Sequence, residues 1–239
     1  MKRILLGAIM AILAMGTQAQ DAKLINDKNA QVRQASGFHA IRVSNGIDLY
    51  LSQGTEAVAV SASEAQYRDR IMTVVENGVL KIYLDDKWSH WNWGNQKLKA
   101  YVSFSMLDGL HASGGSDIYT TGVIKSDKLD LTLSGGSDFK DAKVDINDMH
   151  IRQSGGSDVH ISGRAGRLTV DASGGSDLHG YDLVTDFCNI EASGGSDATI
   201  TVNKELNVDA SGGSDIYYKG AAVIKELKTS GSGSVSRKG

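Results

Sequence analysis

The amino-acid sequence predicts an all-β protein: a parallel β-solenoid of about 20 residues per coil, preceded by a non-repeating β-rich part. Three observations carry this expectation. The pentapeptide Ser-Gly-Gly-Ser-Asp occurs six times, ending at Asp117, Asp138, Asp158, Asp177, Asp197 and Asp215 in steps of 21, 20, 19, 20 and 18. The flanks of each copy alternate apolar and polar with the period of a strand. The 239 residues include 28 Gly and no Pro, and 12 of those Gly form the six Gly-Gly pairs, so glycine serves the repeat.

In chain order, Lys2 and Arg3 precede an apolar run from Ile4 to Met15 and then Gly16-Thr17-Gln18-Ala19. A charged start, a short apolar run and a small residue at a cleavage point read as a signal peptide over residues 1–19. The run is shorter than the roughly 20 residues a spanning helix needs. The mature chain is therefore expected to be exported, to the periplasm, the outer surface or the medium, with no transmembrane segment. Residues 20–37 are a polar leader.

Residues 38–110 do not repeat. Ile41 and Val43, Asn45-Gly46, then Ile47, Leu49 and Leu51 read as two short strands around a turn. Val58 and Val60 mark another strand. Asn77-Gly78 precedes Leu80, Ile82 and Leu84, and Leu98, Ala100, Val102, Phe104 and Met106 alternate. Glu64 to Val75 has room for a short helix. This part is expected to continue or cap the winding, because an open solenoid end templates aggregation.

Residues 111–239 are the repeat. After each Asp come Ile118, Phe139, Val159, Leu178, Ala198 and Ile216, with Val235 in a degenerate seventh copy, Ser230-Gly231-Ser232-Gly233-Ser234. Before the copies lie Leu110, Leu131, Ile151, Val170, Ile190 and Val208. A further apolar set is Leu129, Met149, Leu168, Cys188 and Leu206. Polar Thr132, Arg152, Asp171, Glu191 and Asp209 alternate with them. Each unit reads as a strand, a Gly-rich turn, a short strand and another turn. A 20-residue unit cannot bury a core alone, but stacked units can. Gly-Gly permits positive φ at a tight corner and lets one corner sit on the next. An antiparallel sandwich with repeated turn chemistry is the alternative.

The chain resembles the bacterial family described as putative auto-transporter adhesin, head GIN domain. The resemblance rests on the export signal, on Phe38, Ile41, Val43 and Gly46 early in the chain, on Asn77, Gly78, Leu80 and Ile82, and on the Gly/Ser rungs. Here the rung is Ser-Gly-Gly-Ser-Asp where the family has Ser-Gly-Ser-Gly-Asp. The resemblance implies a right-handed β-helix-like fold in an exported envelope protein. It suggests adhesion and carries no catalytic residues.

Stacking places Asp117, Asp138, Asp158, Asp177, Asp197 and Asp215 in one column. At about 4.8 Å, neighbouring carboxylates repel by roughly 0.9 kcal/mol in water and about 3.5 at an effective dielectric of 20. A structural turn ladder is the expected offset, with side chains accepting turn N–H groups and Ser hydroxyls bonding alongside. Ca²⁺ bound by the carboxylates and turn carbonyls is the alternative. Otherwise no cofactor is indicated. A second outward column holds Tyr119, Lys140, His160, His179, Thr199 and Tyr217, a ribbon of aromatic, hydroxyl and carboxylate groups that suits an extended glycan, with plain strand-forming residues as the other reading. His160 and His179 on consecutive coils read as exposed stacked residues, with a surface transition-metal site as the other reading. Trp88, Trp91 and Trp93 crowd one polar segment, either as a cap on the solenoid end or as an exposed sugar-stacking loop.

Composition excludes some functions. With 25 Lys+Arg against 28 Asp+Glu, the net charge of −3 argues against a nucleic-acid partner. A single Cys forbids an intrachain disulfide. Cys188 stands where other copies carry Leu or Met, so it reads as core. No phosphate-binding loop, dinucleotide fingerprint or nucleophile elbow is present. The repeated Asp are equivalent by position, whereas a catalytic pair needs two distinct environments. The expectation is a non-catalytic envelope or surface protein that binds a glycan or a surface protein. A polysaccharide-degrading enzyme and a structural stalk are the alternatives.

Overall fold

A computed structural model describes residues 27–85 and 96–239. The elements are β1 (Gln31–Arg33), β2 (Ala40–Val43), β3 (Asp48–Gln53), β4 (Ala57–Ser61), α1 (Ala65–Arg68), β5 (Ile71–Glu76), β6 (Val79–Leu84) and β7 (Lys99–Phe104). They continue with β8 (Gly109–Ala112), β9 (Ile118–Thr121), β10 (Val123–Ser134), β11 (Phe139–Ser154), β12 (Val159–Ala172) and β13 (Leu178–Ala192). The last are β14 (Ala198–Ala210), β15 (Asp215–Lys219), β16 (Val223–Thr229) and β17 (Ser234–Arg237). The strands join into one sheet wound as a parallel solenoid of about 6 turns with ~20 residues per turn.

The winding follows the apolar columns read from the repeat. Leu131 pairs with Ile151, Ile151 with Val170, Val170 with Ile190 and Ile190 with Val208 on successive parallel strands. Phe139 pairs with Val159, Val159 with Leu178, Leu178 with Ala198 and Ala198 with Ile216 on the opposite wall. All of these side chains are buried. Like thus stacks on like, and one core runs the length of the molecule. At about 25 cal/mol per Å² of apolar area removed from water, this burial is the main stabilising term.

The second turn of each unit differs from expectation. The coils are single strands of 12 to 16 residues that bend without breaking. Register shifts mark the bends, between Phe139 and Ala142, His160 and Gly163, and Gly180 and Val184. Each bend interrupts the ladder only locally and pairing resumes within a few residues, so a bulge suffices where a turn was expected.

The N-terminal part enters the same stack out of chain order. β2 lies between β6 and β8, parallel to both, and β3 lies between β7 and β9. Residues 40–53 are therefore an inner coil. The chain leaves it outward, builds β4 to β7 over the end, and steps back across it to β8. The end is covered by antiparallel strands: β4 on β7, β1 on β4, and β5 on β6. Within Glu64 to Val75 the helix is one turn, Ala65–Arg68, and the remainder belongs to β5 because Ile71 turns into the core.

The two Asn-Gly dipeptides have similar backbones and different uses. Asn45 and Gly46 have φ of 65° and 69°, Asn77 and Gly78 of 51° and 76°. Asn77-Gly78 closes the β5–β6 hairpin. Asn45-Gly46 is a corner: the strands it joins pair with other coils and not with each other.

Candidate functional site

The repeated corner organises the outer surface. In each pentapeptide the second Ser is fully buried, as Ser116, Ser137, Ser157, Ser176, Ser196 and Ser214. In Ser157, Ser176, Ser196 and Ser214 its hydroxyl donates to the carbonyl of the first Ser of the same corner, at 2.8 Å for Ser176 to Ser173 and 3.0 Å for Ser196 to Ser193, whereas the Ser116 and Ser137 hydroxyls accept Ile47 N–H and Ser116 N–H across coils at 3.1 and 3.0 Å. Ser bonding thus runs both within corners and between coils, where the Ser173, Ser193 and Ser211 hydroxyls donate to Gln153, Ala172 and Ala192 C=O at 3.3, 3.5 and 3.4 Å. Between corners the backbone carries the stack: Gly195 N–H donates to Gly174 C=O at 2.7 Å, and Gly213 N–H to Gly194 C=O at 2.6 Å.

The two glycines of a corner are not equivalent. Gly194 has φ 77°, and a Cβ there would lie 2.6 Å from Gly174 O. A Cβ on Gly195 would meet nothing nearer than 3.8 Å. The degenerate copy agrees, since it keeps Gly231 and carries Ser232 in the second place.

The six Asp carboxylates stack in one half-buried column, and backbone N–H groups of the next coil donate to four of them. Asp158 N–H donates to Asp138 Oδ1 at 3.0 Å, Asp197 N–H to Asp177 Oδ1 at 3.2 Å, and Asp215 N–H to Asp197 Oδ1 at 2.9 Å. Asp138 N–H reaches Asp117 Oδ1 at 3.3 Å. The column is longer than the repeat. Register adds Asp48 beside Asp117, with Lys99 beyond it, and Ser234 at the other end, where its hydroxyl donates to Asp215 at 2.6 Å. Burial, and then the charge of Asp117, pushes the Asp48 carboxyl above its ordinary value. Lys140 Nζ lies 2.5 Å from Asp117 and 3.5 Å from Asp138. The hydrogen bond to Asp117 holds this ammonium above its usual pKa. Asp117, Asp138, Asp177, Asp197 and Asp215 thus each gain a donor within one coil spacing.

Two residues along, Tyr119, Lys140, His160, His179, Thr199 and Tyr217 form the expected second column. It too continues into the non-repeating part, through Tyr50 beside Tyr119 and Tyr101 beside Tyr50. The rings of Tyr101 and Tyr50 stack at 5.2 Å, those of Tyr50 and Tyr119 at 4.9 Å, and those of His160 and His179 at 4.3 Å. Tyr119 and Tyr217 donate to Asp117 and Asp215, two residues back on the same strand, at 3.4 and 3.2 Å. Ring faces are turned to each other within Tyr101–Tyr50–Tyr119 and within His160–His179, with Lys140 and Thr199 between the aromatic runs, and the Tyr101 hydroxyl donates to Asp27 at 2.8 Å. The stripe is a ribbon of hydrogen-bonding groups repeating at the strand spacing, suited to an extended ligand.

Trp88, Trp91 and Trp93 lie outside the described residues. Cys188 is buried, and burial pushes its thiol far up, away from thiolate chemistry. On the other wall, Lys81, Arg42, His111, Thr132, Arg152, Asp171, Glu191, Asp209 and Lys228 stack in one outward column. Its repeat portion lines a shallow open groove. The column is basic toward the capped end and acidic further along. In the sequence this column shows only as polar alternation over the repeat, because Arg42, Lys81 and His111 are scattered in the chain. Among the described residues, no group of three or more His, Cys, Asp or Glu is arranged to hold a metal ion.

Residues 37–222 match the family described as putative auto-transporter adhesin, head GIN domain. The chain belongs to this family. Among curated proteins, none matches it in sequence. Among solved structures, it is similar to a putative adhesin from Bacteroides fragilis, with a TM-score of 0.76, 19% identity, and coverage of 87% of this chain and 96% of that one. It is also similar to a putative lipid binding protein from Parabacteroides distasonis, with a TM-score of 0.69, 16% identity, and coverage of 89% and 98%. A putative adhesin from Parabacteroides merdae follows, with a TM-score of 0.62, 16% identity, and coverage of 88% and 95%. At these identities the likeness establishes a shared fold across nearly the whole length of those chains. Among the described residues, no helix is long and apolar enough to cross a membrane.

Proposed function

We propose that this is an exported, non-catalytic, adhesin-like protein that binds an extended glycan along the Tyr/His/Asp stripe. One observation carries the reading: the outward column is continuous from Tyr101 through Tyr50, Tyr119, His160 and His179 to Tyr217, across the boundary between non-repeating and repeating sequence. A purely structural repeat gives no reason for the unrepeated coils to supply tyrosines at the same place. Hydroxyl and carboxylate groups spaced by one strand complement a ligand whose own hydroxyls recur along its length. Family membership supports a surface role.

The test is a glycan array probed with the purified protein, with and without Ca²⁺. Retention of intact glycans, weakened by Tyr50→Ala and Tyr119→Ala, is the expected result. Shortened glycans would replace this reading with an enzymatic one, and binding that survives both substitutions would move the site elsewhere.

A further inference from the structure

We propose that the C-terminal coil is a self-association surface: two copies meet tail to tail, β16 against β16 and β17 against β17, about a twofold axis through Leu227 and Val235. This does not depend on the ligand proposed above.

The backbone is the first argument. β16 pairs with β14 and β17 with β15, and their outer edges have no partner among the described strands. Ser230 N–H donates to Ala210 C=O, Ser234 N–H to Ser214 C=O and Lys238 N–H to Tyr218 C=O. Backbone groups alternate in direction along a strand, so Leu227 and Val235 turn both their N–H and their C=O toward the free edge. A residue so oriented on a twofold axis exchanges two hydrogen bonds with its own copy in an antiparallel ladder. Both walls of the coil meet this condition at once.

The side chains agree. Leu227 stacks on Val208 and Val235 on Ile216, so the two core columns end at the residues on the axis. Leu227 is 53% exposed, and a second copy would cover it. With Leu227 at the centre, Glu226 faces Lys228 of the second copy and Lys228 faces its Glu226, two reciprocal opposite-charge pairs. Lys225 falls opposite Thr229, and Ser234 opposite Ser236, so no like charges meet. Glu226 and Lys228 are both 70% exposed along their side chains and pair loosely with each other within the strand, at 3.9 Å, so the second copy would turn one exposed pair into two reciprocal ones. If these charges instead served only to repel other strands from an open edge, the protein would be a monomer.

Sedimentation equilibrium decides between them. The protein should dimerise, and E226K or K228E alone should weaken self-association by about tenfold or more, since each replaces two attractions with two repulsions. An equimolar mixture of the two variants should recover the dimer as a heterodimer, and the double variant E226K/K228E should recover it alone. Circular dichroism checks that each variant is folded. A monomer at every concentration, or a dimer indifferent to both reversals, overturns the proposal.

Discussion

The repeated coils and the non-repeating part reach one winding by different routes. In the repeat, each corner rests on the corner of the preceding copy, about 20 residues back in the chain, and stacking is dictated by glycine. In the N-terminal part, residues 40–53 lie between two segments that follow them in sequence, and a corner in the same column is made by Asn45-Gly46. A carboxylate occupies the same column in both, Asp48 in one and Asp117 onward in the other. Corner geometry is the shared requirement, and the Gly-Gly pair is one of two solutions to it.

The sharpest way to break the repeat is Gly194→Ala. It forces a positive φ on a residue with a Cβ and drives that Cβ to 2.6 Å from Gly174 O, so a loss of about 2–4 kcal/mol is expected in chemical denaturation. Gly195→Ala, next to it, should cost less than about 1 kcal/mol. Equal losses would mean that the corner is not stacked as described.

In the non-repeating part, Asn45→Ala should cost about 2 kcal/mol and Asn77→Ala about 1. Both lose a side chain that tolerates positive φ. Asn45 Oδ1 also accepts the Leu84 N–H at 3.2 Å, tying the corner to the covering hairpin. Thermal denaturation of the two variants would show whether the corner or the hairpin matters more.

Lys140→Met removes the ammonium between Asp117 and Asp138 and tests the carboxylate ladder. Its side chain is 35% exposed, so solvent screening limits the loss to about 1 kcal/mol, and added salt should shrink it further. Asp48→Asn should act in the opposite direction. The folded state raises the Asp48 pKa, so ionisation opposes folding, and the variant should be slightly more stable than the parent at neutral pH.

The smallest expected effect is a pH dependence at His111. Burial, and then Arg42, lowers its pKa in the folded state from 6.5. The unfolded chain therefore binds the proton first. Stability from this group is present above about pH 6.5 and is lost as pH falls toward the lowered value. His111→Gln should flatten that acid limb in a series of melting curves, and an unchanged limb would assign it to other groups.

Much of this was legible because a stacked repeat converts sequence period into space. The Asp column, the Tyr119 to Tyr217 column and the burial of Cys188 all followed from adding about 20 to a residue number. The bends were harder to read, since a bulge within a continuous ladder needs no turn residue. Tyr50, Tyr101 and Asp48 could not be found by period, and neither could the basic column of Arg42, Lys81 and His111.

The sequence alone therefore determined the winding, its corners and the side chains that line its core, because the same local backbone problem recurs with the same local solution. Tertiary structure alone decided which unrepeated strand lies on which, since a parallel strand can pair with any neighbour whose apolar face matches. That choice joined the tyrosines of the N-terminal part to those of the repeat, and laid antiparallel strands over the first coils of the stack.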